Sequence, residues 1–215
     1  MELAPELAEL ESLMKRAESA QWALHDLTEE SRAVAASTWA ATATDATGSV
    51  RASTDADGVL GSIELSSDWR LLVGAERFAG AVTEACQNAV QAGVMAWAKV
   101  AEKTGLDRRL REVLEYLDGT AAPPSWMQAR GPRPPFPTAS MSAATESDDL
   151  RAALTTGESS GVAAQGKLTV TIDLAGVATC QADPGWVSRQ NTAQLNENLA
   201  AALASARGRF KAWKR

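Results

Sequence analysis

Histidine occurs once in this chain of 215 residues, cysteine twice and tyrosine once. His25 stands beside Asp26 with no cysteine or serine constellation around it, so neither a hydrolase triad nor a histidine-rich metal site is expected. Cys86 and Cys180 fall at positions of apolar character, one in a helical and one in a strand pattern. They read as small buried hydrophobes of a reducing compartment and not as a disulfide or metal pair. No phosphate-cradling glycine loop or dinucleotide fingerprint is present. Adjacent carboxylates such as Glu29-Glu30 and Asp148-Asp149 point apart on a helix and suit a solvated surface. No run of 18 apolar residues exists, and the opening MELAPELAEL is acidic and helical, without a basic or apolar leader region. No membrane span and a cytoplasmic location are expected. Together these absences predict a protein that is not an enzyme and has no catalytic residues, no cofactor and no metal.

Cations are short in one half only. Residues 1–118 hold 11 Lys and Arg against 20 Asp and Glu, whereas 119–215 hold 10 against 7. The net charge of −6 therefore lies in the first half, and it disfavours any partner gripped by phosphate neutralisation alone.

What is present is a pattern written twice. Placing Gly48 over Gly166 sets Val50 over Leu168, Ala52 over Val170, Thr54 over Ile172 and Gly58 over Gly176. After a one-residue gap Trp69 falls over Trp186, Phe78 over Leu195, Val82 over Leu199 and Cys86 over Leu203. Each copy reads as strand, tight turn, strand, a loop carrying Trp, and an amphipathic helix, an internal repeat that defines architecture before any single residue is interpreted.

From Glu2 to about Ala35 the residues Leu3, Leu7, Leu10, Met14, Ala17 and Leu24 recur at steps of four and three, with Gln21 interrupting. This is a heptad seam, served either by the helix's own domain or by a coiled-coil partner. A first strand is predicted over about 37–44, and Val50, Ala52 and Thr54 alternate in a second. Asp57-Gly58 supplies the residues of a two-residue hairpin turn, whose central positions both need positive φ, into a third strand carrying Val59, Gly61, Ile63 and Leu65. A long helix from about Gly74 follows, then a stop at Gly105 and a short helix from Asp107 to Leu117. Proline density over 119–149 predicts an extended linker without helix or sheet, and Pro132 to Pro137 could serve as spacer or as ligand of a proline-reading domain. A weak strand is expected over 154–162, diluted by Gly157 and Gly161, and a clean one at Leu168 to Leu174. The fold class is accordingly α+β: a three-stranded antiparallel meander flanked by long helices, duplicated in one chain, with the second copy lacking its first helix. The domains are a first unit at 1–118, a Pro/Ser-rich linker at 119–150 and a shortened second unit at 151–215 with a basic C-terminus.

Ser53, Asp55, Asp57, Gly58, Leu60 and Glu64 fit part of a calcium-loop pattern, but their flanks alternate as strands where such a loop needs helices, and the second copy drops the acids. Trp69 and Trp186 stand between sheet and helix and read as wedges closing that corner. The run Arg207, Arg209, Lys211, Lys214 and Arg215 could grip phosphates or complement a helix C-terminus.

Helix, meander and long helix, joined by DADGVLGSIELSSDW in one copy and LAGVATCQADPGW in the other, resemble the YbaB/EbfC family of bacterial nucleoid-associated DNA-binding proteins. The resemblance covers about 1–104, and 154–210 as a shortened unit. It implies a sheet-mediated dimer, formed between two chains or as a pseudo-dimer within one, and helices that contact double-stranded DNA with little sequence preference. On those helices stand Lys15, Arg16 and Arg32, then Lys99, Lys103, Arg108, Arg109 and Arg111, without a continuous basic stripe. The alternative on the same scaffold is a protein-interaction or chaperone-like accessory module, for example in actinobacterial type VII secretion.

Overall fold

The structure, a computed structural model, describes residues 4–128, 158–173 and 176–213. The order is α1 (Ala4–Thr38), β1 (Thr42–Thr44), β2 (Val50–Thr54), β3 (Leu60–Leu65), α2 (Trp69–Leu72), α3 (Phe78–Thr104), α4 (Leu106–Leu117) and α5 (Ser125–Gln128). Then come β4 (Glu158–Ala163), a 3-10 turn (Ala164–Gly166), β5 (Leu168–Asp173), β6 (Ala178–Ala182), α6 (Pro184–Val187) and α7 (Thr192–Trp213). This is an α+β chain with two antiparallel three-stranded sheets, in the orders β1-β2-β3 and β4-β5-β6.

Three local expectations are corrected. Ser37 and Thr38 belong to α1, because the Trp39 N–H donates to the Ala35 carbonyl at 2.8 Å and carries the helix past the β-branched residue. Only Thr42–Thr44 pair as the first strand. The proline-rich segment also contains a helical turn, α5, entered from Pro123-Pro124 and held by a Trp126 Nε1 hydrogen bond to Glu112 Oε2 at 2.7 Å. Proline is compatible with a first turn, and the anchoring partner is remote in sequence. Of the weak strand expected over 154–162, residues 154–157 lie outside the described residues; β4 occupies Glu158–Ala163.

The chain divides into two compact units, and neither is continuous. One comprises Met1–Val34 with Ala98–Ala143, the other Ala35–Trp97 with Ala144–Arg215. This spatial division differs from the division by chain order into 1–118, 119–150 and 151–215. Its cause is burial: residues from both sheets enter a single apolar cluster. Val50 and Ala52 of β2, Leu60 and Ile63 of β3, and Phe78, Val82 and Cys86 of α3 share it with Leu168, Val170 and Ile172 of β5 and Leu195, Leu199, Leu203 and Phe210 of α7. Fully burying one such Leu, Ile or Phe contributes about 1.5–3 kcal/mol.

Polar contacts seal the same contact within one chain. The Leu65 N–H on the outer strand β3 donates to Asn196 Oδ1 of α7 at 2.8 Å, and the Cys180 N–H on β6 donates to Thr83 Oγ1 of α3 at 2.9 Å. Each helix thus satisfies an edge donor of the other sheet, which would otherwise be an unpaired buried group. Trp69 Nε1 donates to Thr192 Oγ1 at 3.2 Å. Asn191 and Gln194 cap α7 reciprocally, backbone N–H to side-chain oxygen, at 2.8 and 3.0 Å.

In the helical unit, Ala20, Ala23 and Leu27 of α1 are buried, as are Ala101 of α3 and Leu106 and Val113 of α4. Gly105, at φ +69°, ends α3 and stands at the N-cap of α4, with Asp107 inside the first turn. The helix start expected at Asp107 therefore moves back to Leu106, because the left-handed glycine lets one helix follow the other directly.

Candidate functional site

The helical unit presents two different stripes on α1. Arg16, Ala20, Ala23 and Leu27 follow one another at steps of four and three and face inward: Ala20, Ala23 and Leu27 are buried, and the Arg16 guanidinium lies 5.9 Å from the centre of the Tyr116 ring of α4. The seam legible in the sequence is a different one. Leu7, Leu10 and Met14 are 59%, 54% and 64% exposed, and Ala17 and Gln21 are exposed as well; Leu13, beside that seam on the line that continues to Arg16 and Ala20, is 49% exposed. Large apolar side chains half in water on consecutive turns cost solvation energy that a partner would recover, and such patches mark interaction surfaces. The sequence carried this signal in its heptad spacing; what it did not carry was that the intrachain packing uses the neighbouring stripe.

Some of the cations expected to contact phosphate on the helices are paired with carboxylates and others are not. Arg32 pairs with Glu29, Arg108 Nε lies 3.7 Å from Glu112, and Arg109 Nη2 bonds Glu30 Oε1 at 2.6 Å while its guanidinium sits 5.9 Å from the Trp126 ring centre. Lys15 and Arg16 line an open cleft with Ser12, Ser19, Glu11 and Tyr116. Lys15, Lys99, Lys103 and Arg111 are exposed and make no ion pair among the described residues. Over its length α1 holds three Lys and Arg against seven Asp and Glu, so its field is anionic.

The C-terminal candidates belong to the other unit. Arg207 bonds Asp55 Oδ2 and approaches the Gly61 carbonyl at 3.5 Å, so its charge is neutralised where α7 crosses the β2-β3 hairpin. Arg209 donates to the Ser160 carbonyl at 3.1 Å. Lys211 lies on the last turn of α7, and nothing is described of its side chain; Lys214 and Arg215 lie outside the described residues.

The calcium-like stretch is a hairpin. Asp55 Oδ1 accepts the Asp57 and Val59 N–H groups at 3.0 and 3.1 Å, its Oδ2 takes Arg207, and Ser53 Oγ meets Ser62 Oγ at 2.8 Å. Among the described residues no three His, Cys, Asp or Glu side chains group so as to hold a metal ion. Burial pushes the Cys86 and Cys180 thiols up to about 12, Cys86 further influenced by Cys180. Thiols at that value are almost wholly protonated near neutrality and poor nucleophiles. His25 packs edge-on to Trp22 with ring centres 5.8 Å apart. Trp69 is buried and meets Phe78 at 5.5 Å in a tilted-edge arrangement, so it closes the corner between sheet and helix, and Trp186 is half-buried against the same cluster. Leu71, two residues after Trp69, is 87% exposed and had no signal in the sequence pattern.

No helix among the described residues is long and apolar enough to cross a membrane. Neither a family model, nor a curated protein, nor a solved structure matches the chain.

Proposed function

We propose that this chain is a non-enzymatic protein-binding module built on a duplicated YbaB-like unit, the second copy without a first helix, and that α1 is the element that engages the partner. One observation carries the proposal: α1 exposes Leu7, Leu10, Leu13 and Met14 while its few cations are outnumbered by acids. Apolar anchors on one helical face are what helix-in-groove recognition uses, and a net-anionic helix is a poor phosphate clamp. The duplication is supported by the common order of meander, Trp-bearing short helix and long helix, in β1 to α3 and again in β4 to α7. The two halves act as a pseudo-dimer, since one core serves both.

A second reading is low-specificity binding of duplex DNA, with nucleoid association as its consequence. The exposed Lys15, Lys99, Lys103 and Arg111 favour it, none of them paired with a carboxylate among the described residues. Fluorescence anisotropy of a labelled random-sequence duplex separates the two. Protein binding predicts no saturable duplex binding even at about 50 mM salt, where phosphate contacts are strongest. Tight duplex binding that collapses by about 200 mM salt would replace the first reading with the second.

A further inference from the structure

Resting on the protein-binding reading, we infer that the exposed stripe of α1 docks a cationic amphipathic helix of another protein, one with Lys or Arg on both edges of its own apolar face. The stripe runs from Leu7 through Leu10, Leu13 and Met14 to Ala17, about 15 Å of helix at 1.5 Å per residue. Anchors at these spacings fit a second helix lying along α1, its knobs between theirs. The rim states the partner's charge. Glu11 and Glu18 border the stripe on one edge and Glu9 lies beyond Leu13 on the other; all three are exposed, and none makes an ion pair among the described residues. Arg16 is turned onto Tyr116, and Lys15, which shares the cleft with Glu11, forms no ion pair among the described residues, so three carboxylates against one lysine leave the rim net acidic.

The same rim argues against other occupants. In an antiparallel pair with a second copy of α1, the Glu11 and Glu18 edge would lie on itself, and in a parallel pair Glu11 would by heptad position face Glu6. Like charges at those positions oppose pairing, whereas opposite charges there select a partner and its orientation. The chain's own run from Pro132 to Pro137 carries a single cation, Arg133, and so lacks the Lys or Arg on both edges of an apolar face that this rim calls for.

The test uses the full chain and three labelled synthetic peptides of about 28 residues. Two have Leu at heptad positions a and d, one flanked by Lys at e and g and the other by Glu. The third is the Lys peptide with its order scrambled. Anisotropy titration at about 100 mM salt should show the Lys-flanked peptide binding at least about tenfold tighter than the Glu-flanked one, with the scrambled peptide not saturating. Leu10→Glu should weaken that binding by more than about tenfold while the circular dichroism spectrum stays unchanged. The double variant Glu11→Lys with Glu18→Lys should reverse the preference between the two flanked peptides. Equal binding of both flanked peptides would keep the protein-binding reading and overturn the cationic partner. Scrambled peptide binding as well as ordered peptide would reduce the effect to net charge and overturn it too. Self-association abolished by Leu10→Glu would make a second copy the occupant, again overturning it. Silence from all three peptides overturns it as well, and salt-sensitive duplex binding alongside that silence would remove the parent reading.

Discussion

Gly58 and Gly48 both have positive φ, +75° and +72°, yet they answer to different constraints. A methyl group at Gly58 would overlap the Trp39 ring, whereas one at Gly48 meets nothing within 4 Å. Gly48→Ala should therefore cost about 1 kcal/mol from backbone strain alone, and Gly58→Ala about 2–4 kcal/mol, strain plus displacement of the indole. Urea unfolding of the two variants checks the difference, and equal losses would contradict it. Asp45 carries a second residue-scale consequence. It is only 4% exposed, and burial by itself would raise its pKa; hydrogen bonds from the Thr47 hydroxyl and from the Val50, Thr47 and Ser49 backbone outweigh that and hold the carboxyl below its ordinary value. The group is thus lowered in the folded state relative to the unfolded. Its contribution is present in full above the ordinary Asp range near 4 and is lost as pH falls through the lower folded value. Between pH 5 and pH 2, Asp45→Asn should flatten the acid decline of the urea midpoint, and an unchanged slope would show that other carboxylates carry it.

At the scale of elements, α1 carries one buried stripe and one exposed stripe. Leu27 is buried, so Leu27→Ala should cost about 2–4 kcal/mol through lost burial and a cavity. Leu10 is 54% exposed, and Leu10→Ala should shift stability by no more than about 0.5 kcal/mol. Thermal unfolding monitored at the helical band distinguishes them; a comparable loss at Leu10 would mean that its stripe is covered in the folded chain. The strand β4 shows the reverse relation between sequence and structure. Gly161 looks in sequence like a weakness, but a methyl there would overlap the Ala202 carbonyl and lie 2.6 Å from the Ala206 nitrogen. The residue that dilutes the strand pattern is what lets the α7 backbone approach the sheet, and Ser159 Oγ uses that approach to donate to the Ala206 carbonyl at 2.8 Å.

For the whole molecule, the consequence of one core built from both sheets is that continuity of the chain is dispensable once it has folded. Opening the backbone at an engineered protease site between Gln128 and Glu158 should leave the two fragments eluting together on gel filtration and parting only in denaturant. Their cohesion comes from Leu60, Phe78, Leu168 and Leu199 in one cluster and from the Leu65–Asn196 and Cys180–Thr83 hydrogen bonds. Native fragments that elute apart would assign that cohesion to the connecting segment. The intact chain should sediment as a monomer at micromolar concentration, because the two sheets already share one core within the chain.

Periodicity and turn chemistry are local, so the sequence alone determined the two meanders, the reversal at Gly58, the helix break at Gly105 and the Trp at each corner between sheet and helix. The two-residue turn expected at Asp57-Gly58 is instead a longer loop between Thr54 and Leu60, in which the Gly58 N–H donates to the Asp55 carbonyl and Gly58 alone has positive φ. It also displayed the Leu7, Leu10, Met14 stripe, since heptad spacing needs no knowledge of neighbours. Tertiary structure decided what those residues meet. That α1 packs through Ala20, Ala23 and Leu27 and leaves its stronger seam in water depends on which surface α4 offers. That Arg207 is spent on Asp55, and Arg109 on Glu30, depends on pairs 152 and 79 residues apart in sequence. Charge along a chain counts the cations; only folding, by bringing distant carboxylates to them, decides which remain for a partner.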